Sequence, residues 1–138
     1  MKYPKIGVDV IVKKGNLILA GQRKNAHGDG DWSVPGGHLE FFEEIEECAK
    51  REVLEETNIK IKNIKIYKIT NDLFKKEDKH YVTIWVTSEY ESGEIKINEP
   101  DKFTQIKWVK KDEFPKPQFL PLKNLINQGD FKWKYTTH

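Results

Sequence analysis

"PGGHLEFFEEIEECAKREVLEETNI", Pro35 to Ile59, carries eight glutamates in twenty-five residues, and three of them, Glu52, Glu55 and Glu56, crowd into five positions. From about Phe42 to Thr57 the stretch has no glycine or proline and is rich in Glu, Ala, Leu and Arg, which favours a helix. At roughly 100° per residue the three crowded glutamates share an arc of about 100°. A Glu-rich helix is ordinarily a solvated face braced by i,i+4 ion pairs, and Glu46 with Lys50 and Glu47 with Arg51 fit that account. The crowded three fit it poorly. Glu52 has Cys48 and Glu56 at four residues' distance and Ala49 and Glu55 at three, so no cation stands at helical spacing. Each like-charge neighbour costs about 0.2–0.5 kcal/mol on an exposed helix. Two readings stand: a solvated acidic face, or a set of hard oxygen ligands for a divalent cation such as Mg²⁺ or Mn²⁺.

On the N-terminal side, "IGVDVIV" (Ile6 to Val12) and "NLILAG" (Asn16 to Gly21) read as strands joined by a hairpin turn at "KKG". "RKNAHGDGDWSVPGG" (Arg23 to Gly37), with its glycines, proline and aspartates, reads as loop. On the C-terminal side, "NIKIKNIKIYKIT" alternates Ile with Lys in two registers separated at Asn63, as a half-buried strand with a lysine-coated face does. "HYVTIWVTSEY" (His80 to Tyr90) reads as a strong strand, and "GEIKIN" and "FTQIKWV" as shorter ones. "FLPLKNLINQG" reads as a short helix ending near Gly129. Strands on both sides of one central helix, with a second helix at the end, predict an α/β (α+β) sandwich around a mixed sheet.

Whole-chain numbers set the limits. A chain of 138 residues is expected to form one domain, 1–138, with a real core. Twenty-four Lys and Arg against twenty-two Asp and Glu leave a net charge of +2, so no bulk attraction to nucleic acid or membrane is expected. The lysine-coated strand carries a single aromatic, Tyr67, and lacks the set that would stack on successive bases. A single cysteine, Cys48, excludes an intrachain disulfide, and Asp9, Lys13, Lys14 and Asn16 break the apolar N-terminal stretch below spanning length. The expectation is a soluble cytoplasmic protein, with Cys48 and Trp85 as packing residues and His27 as a solvated loop residue.

The spacing of the acidic stretch then becomes specific. Gly37 is followed after five residues by Glu43, after seven more by Arg51–Glu52, then by Val53, Leu54, Glu55–Glu56, Thr57, Asn58 and Ile59. This resembles the Nudix box, G-x5-E-x7-R-E-U-x-E-E-x-G-U with U aliphatic, and departs from it only at Asn58, where the family has glycine. Asn is the best-tolerated substitute in the left-handed conformation that ends the helix there. Beyond the box, "VPGGHLEF", "EECAKREVLEET", "HYVTI", "NEPDKFTQIKWV" and "EFPKPQFLPLKNL" resemble, in that order, the MutT-type branch that includes the human thiopurine-nucleotide-hydrolysing enzyme and its plant relatives. Phe42 stands where that branch commonly has glycine.

The resemblance implies a metal-dependent hydrolase of a diphosphate linkage in a nucleoside diphosphate joined to another group. It implies Mg²⁺ or Mn²⁺ held by Glu52 and Glu56, by Glu55 directly or through water, and by the carbonyl of Gly36, beside Gly37. One of the three carboxylates deprotonates the attacking water, Glu52 being favoured; Arg51 orients a glutamate, and Glu43 anchors the loop at the helix start. Glu99 maps to a late carboxylate near the metal, or is an exposed loop acid. Arg23 grips a phosphate through its planar fork, or is a surface arginine. His38, beside the metal loop, has a packing or supporting role. Thr83, Phe119 and Leu122 map to the base pocket; without that mapping Phe119 and Leu122 read as core. The resemblance alone suggests a homodimer. The leading activity is cleavage of nucleoside triphosphates, including modified or oxidised ones, to monophosphate and pyrophosphate. The alternatives are a Nudix hydrolase of ADP-ribose or a prenyl diphosphate, and a silent Nudix fold that only binds nucleotide, against which the intact acidic set argues.

Overall fold

The apolar run from Gly7 to Val12, broken only by Asp9, suits a strand covered on both faces. In the computed structural model, which describes residues 2–24 and 27–129, that strand is β1 (Lys5–Lys14), and it lies at the centre of the sheet. It turns at Gly15, φ 62°, into β2 (Leu17–Arg23), the expected hairpin. β3 (Trp32–Ser33) pairs with β2, and β4 (Gly36–His38) pairs antiparallel with the start of β1, Asp9 opposite Gly36 and Val8 opposite Gly37. These two short strands lie in the stretch read as loop; their glycines and proline hid an extended backbone.

The chain continues through α1 (Ile45–Thr57), β5 (Lys60–Phe74), β6 (Lys79–Ser92), β7 (Phe103–Lys110) and α2 (Leu120–Asn127). β6 runs parallel to β1, and the sheet order is β3-β2-β1-β6-β5, with β4 also on β1 and β7 on β2. Helices cover both faces. Val8, Val10, Val12, Leu19 and Val86 pack on Cys48, Ala49 and Val53 of α1; Ile11, Ile18, Ala20 and Trp85 pack on Leu122 and Leu125 of α2. The expected α/β/α sandwich with a mixed sheet is the observed fold. No described helix is long and apolar enough to cross a membrane.

Three expectations change. The central helix starts at Ile45 rather than near Phe42, because Phe42 sits in a left-handed turn at φ 67°. The break at Asn63 is a bulge at φ 53° inside one continuous fifteen-residue strand, whose Ile66 and Ile69 are exposed rather than half-buried. "GEIKIN" forms no strand. It closes the C-terminal end of α1 instead: Lys96 N–H donates to Thr57 O, and the Asn98 side-chain amide donates to Leu54 O. The Lys96 bond satisfies a carbonyl that the helix leaves open, and Asn98 adds a second donor to Leu54 O, which already accepts the Asn58 N–H.

Candidate active site

The sheet brings β4 against the inner face of α1. Gly36 and Gly37 are required there by close approach: a Cβ on Gly37 would lie 2.2 Å from the Glu52 carboxylate, and one on Gly36 would lie 2.3 Å from Asp9 Oδ1. Gly36 N–H donates to Glu56 Oε1 at 3.0 Å. Glu56 is almost completely buried, 1% exposed, and its other oxygen, Oε2, accepts from Lys102 Nζ at 2.9 Å. The Lys102 ammonium also lies 3.6 Å from Glu99 Oε1, a buried oxygen with no hydrogen-bond donor.

Arg51 organises the other side of the cluster. Its fork takes both oxygens of Glu43, Nε at 2.6 Å and Nη2 at 2.9 Å, while Nη1 reaches Glu52 Oε1 at 2.6 Å and Glu55 at 3.6 Å. Glu43 also accepts from the Glu40 N–H and ties the preceding turn to the helix. Glu52 therefore has a cation partner on its own helix, one residue away, which the i±3 and i±4 accounting missed. Arg51 turns to Glu43 and Glu52 rather than to Glu47.

The carboxylates feel this crowding differently. Hydrogen bonding to Arg51 holds Glu43 down to about 2. Burial pushes Glu56 up to about 8 although Lys102 opposes it, and burial also raises Glu52 against Arg51. Asp9, half-buried on β1, is raised to about 7 by desolvation, with Arg23 opposing and Asp72 and Glu52 adding. Burial works against the Lys102 charge, but Glu56, Glu99 and Glu52 together outweigh it and raise Lys102.

Glu52, Asp9, Gly36, Gly37 and Lys102 line a cleft of about 420 Å³. Its far end is aromatic. His27 meets Phe74 and Phe119 edge-on, at centroid distances of 4.2 Å and 5.1 Å, and His38 stacks on Tyr81 at 5.6 Å. The Arg23 guanidinium lies 3.9 Å above the Phe119 ring, and Arg23 Nε donates to His27 O. Both ring nitrogens of His27 are buried without a partner. Beneath the cleft, the fully buried Asp72 accepts from Thr70, Thr83 and Asn124, and Thr70 in turn accepts from Trp85 Nε1.

A model of the NUDIX domain matches residues 3–128. This chain belongs to the Nudix family. Two curated relatives are NAD-capped RNA hydrolases NudC: that of Mannheimia succiniciproducens is 35% identical over 130 residues, and that of Photorhabdus laumondii is 32% identical over 126. Each match covers 90% of this chain but 46% of the relative, so the Nudix chain spans about half the length of these curated relatives. Among solved structures, the MutT Nudix hydrolase of Burkholderia pseudomallei superposes with a TM-score of 0.85 at 24% identity, covering 95% of this chain and 100% of that one. The Nudix domain of Shewanella oneidensis NrtR, solved with ADP ribose, gives 0.75 at 21%, covering 94% and 88%. These matches give MutT-type neighbours and do not single out the thiopurine-nucleotide branch.

Against this Nudix frame the expected residues divide. Gly36, Glu52, Glu56 and Glu99 come together around Lys102, and Glu55 sits on the exposed side of the helix, reached by Arg51. Arg23, Gly37, His38, Thr83 and Phe119 all line the cleft. The Thr83 hydroxyl is committed to Asp72, so the residue offers the cleft mainly its surface. Leu122 is a correction: it is fully buried in the core against α2's own face of the sheet and does not line the cleft. His27 is another, since it belongs to the aromatic wall rather than to solvent.

Asp9, Phe74, Lys79, Tyr81 and Lys102 were not found from sequence. The only sign was Asp9 itself, a lone carboxylate inside an apolar central strand. As they stand, no three carboxylate, imidazole or thiol groups among the described residues converge at metal-ligand distance. The donor set nonetheless fits a hard divalent ion: buried carboxylates whose ionisation is opposed by desolvation, an unbonded Glu99 oxygen, and a glycine backbone with no side chain in the way.

Proposed function

We propose that this protein is a divalent-metal-dependent Nudix hydrolase that cleaves the diphosphate linkage of a nucleotide of the ADP-ribose or NAD type, releasing a nucleoside monophosphate. One observation carries the reading: Glu52 of α1's acidic face and an aromatic wall line the same cleft, one end suited to a diphosphate and the other to a planar ring. The names of the relatives and the ADP ribose in the NrtR structure favour this substrate class.

Glu52, Glu56, Glu99 and the Gly36 carbonyl would hold the ion, with Glu55 at the outer edge. When bound it neutralises phosphate charge and lowers the pKa of a coordinated water. The chain's own groups do the rest. Arg51 holds Glu52 by Oε1 and leaves Oε2 toward Gly37, so Oε2 takes the proton as water attacks phosphorus and the bridging P–O bond breaks. Burial raises Glu52, which suits it to that proton transfer. The wall of Phe119, His27 and Phe74 offers the ring a surface on one side, and Arg23, braced on Phe119, reaches the phosphate through its remaining donors.

A second reading, cleavage of nucleoside triphosphates to monophosphate and pyrophosphate, is favoured by Lys79 and Lys102 on the cleft wall, where extra phosphates would find cations. The test is a panel of NADH, NAD⁺, ADP-ribose and nucleoside triphosphates, oxidised ones included, run with Mg²⁺ and then Mn²⁺, with products separated. The expected result is the highest kcat/KM for a dinucleotide or ADP-ribose, with AMP as a product. A triphosphate giving pyrophosphate at higher kcat/KM would put the second reading first. No turnover on any of them, nor on a prenyl diphosphate, would leave a fold that only binds nucleotide.

A further inference from the structure

Lys102 is the cation hydrogen-bonded to Glu56, the most buried acid around the proposed metal site, and nothing about metal binding calls for it there. Its ammonium bridges Glu56 Oε2 at 2.9 Å and Glu99 Oε1 at 3.6 Å, two oxygens that the reading above gives to the ion. An ammonium and a divalent cation cannot share those oxygens at contact distance without strong like-charge repulsion. The backbone of Lys102 is fixed: its N–H donates to Glu99 O, and its carbonyl accepts from Lys24 N–H. Its side chain is half exposed, on a four-carbon stem that can swing while the turn stays in place.

We infer that Lys102 is a displaceable internal cation: it occupies the Glu56 and Glu99 oxygens in the metal-free protein, and metal entry drives it off. The inference rests on the proposed metal site and adds a competitor to it. Two consequences follow. In the metal-free protein, removing the ammonium leaves the buried Glu56 Oε2 without its hydrogen-bond donor, which destabilises the fold. In metal binding, the same removal abolishes a competition, so the ion binds more tightly.

The test compares the parent, Lys102→Met, Lys102→Arg and Glu56→Gln, by Mn²⁺ titration calorimetry and by thermal melts in EDTA. Lys102→Met is expected to bind Mn²⁺ about threefold to tenfold more tightly than the parent and to melt roughly 2–6 °C lower in EDTA. Lys102→Arg keeps the charge and should hold the parent's melting temperature and its weaker Mn²⁺ binding. The loss on Lys102→Met should disappear in the Glu56→Gln background, because the pair is then already broken. If the parent binds Mn²⁺, Glu56→Gln does not, and Lys102→Met binds no more tightly, the competition is overturned while the metal site stands. If Glu56→Gln binds Mn²⁺ as well as the parent, Glu56 is not a ligand, and the inference falls with that assignment. Should Lys102→Met fail to fold, Lys102→Gln replaces it, and unchanged Mn²⁺ affinity there overturns the inference equally.

Discussion

Phe119 carries the Arg23 guanidinium on its face and meets His27 at its edge, so it shapes the slot and also holds Arg23 in place. Loss of one base–aromatic contact is worth roughly 1–3 kcal/mol. Phe119→Ala should therefore raise KM for the best substrate about tenfold or more, while kcat changes by less. The side chain is also buried, so the alanine variant will lose stability, and Phe119→Leu, which keeps most of the volume, is the control. An unchanged KM in the folded alanine variant would remove Phe119 from the substrate contact. At this scale legibility tracked chain separation. Gly37, Glu43, Arg51, Glu52, Glu55 and Glu56 stand out because their fixed spacing lies within one turn and helix. Asp9, Tyr81 and Lys102 reach the cleft only through strand pairing and a distant turn, and a local reading has no access to that geometry.

The helix α1 is framed by two left-handed residues of different quality. Asn58, φ 67°, ends it and hydrogen-bonds Glu94 O through its side chain at 3.0 Å, so the amide returns something for the backbone conformation. Phe42, also φ 67°, leads into it with 93% of its surface exposed, touching Phe41 at a ring distance of 4.1 Å. A bulky side chain in this conformation costs about 1–2 kcal/mol. Phe42→Gly should raise stability by about 1 kcal/mol, and Asn58→Gly should change it by no more than about 0.5 kcal/mol, because the lost hydrogen bond offsets the freer backbone. Paired thermal melts check both. A Phe42→Gly variant that melts no higher than the parent would mean that the Phe41–Phe42 contact is worth as much as the strain. The elements themselves were largely readable, because alternation and helical composition are local signals. The exceptions share a cause: the roles of β3, β4 and the "GEIKIN" segment depend on which neighbour takes their hydrogen bonds, and alternating isoleucines look the same in either setting.

For the whole molecule, the buried acids make stability depend on pH in a direction that can be worked out. Glu56 is raised to about 8 and Asp9 to about 7, both by burial, whereas in an unfolded chain they titrate near 4. From about pH 4 to about pH 8 the native state therefore holds more protons than the unfolded state, and its stability falls as pH rises. The contribution is complete below the unfolded values and is lost through the folded ones. His27 and His38 are lowered by burial and act the other way, but only while unfolded histidine titrates, near pH 6.5. Burial raises Cys48 to about 12, which adds to the fall only above about pH 8. From about pH 7 to about pH 8.5 the fall is carried by Glu56 together with the remainder of Asp9, with a slope of up to about 1.4 kcal/mol per pH unit for each retained proton. In EDTA the melting temperature should drop across this window. With Mg²⁺ in excess it should be higher and flatter, because the ion binds the ionised carboxylate and takes over the work of neutralising it. Melts at several pH values in the two buffers make the comparison. A metal-free melting temperature that climbs through the window would mean that Glu56 is already ionised against Lys102 at neutral pH, and the site would then begin as a settled ion pair rather than as a carboxyl that gives up its proton to admit the metal.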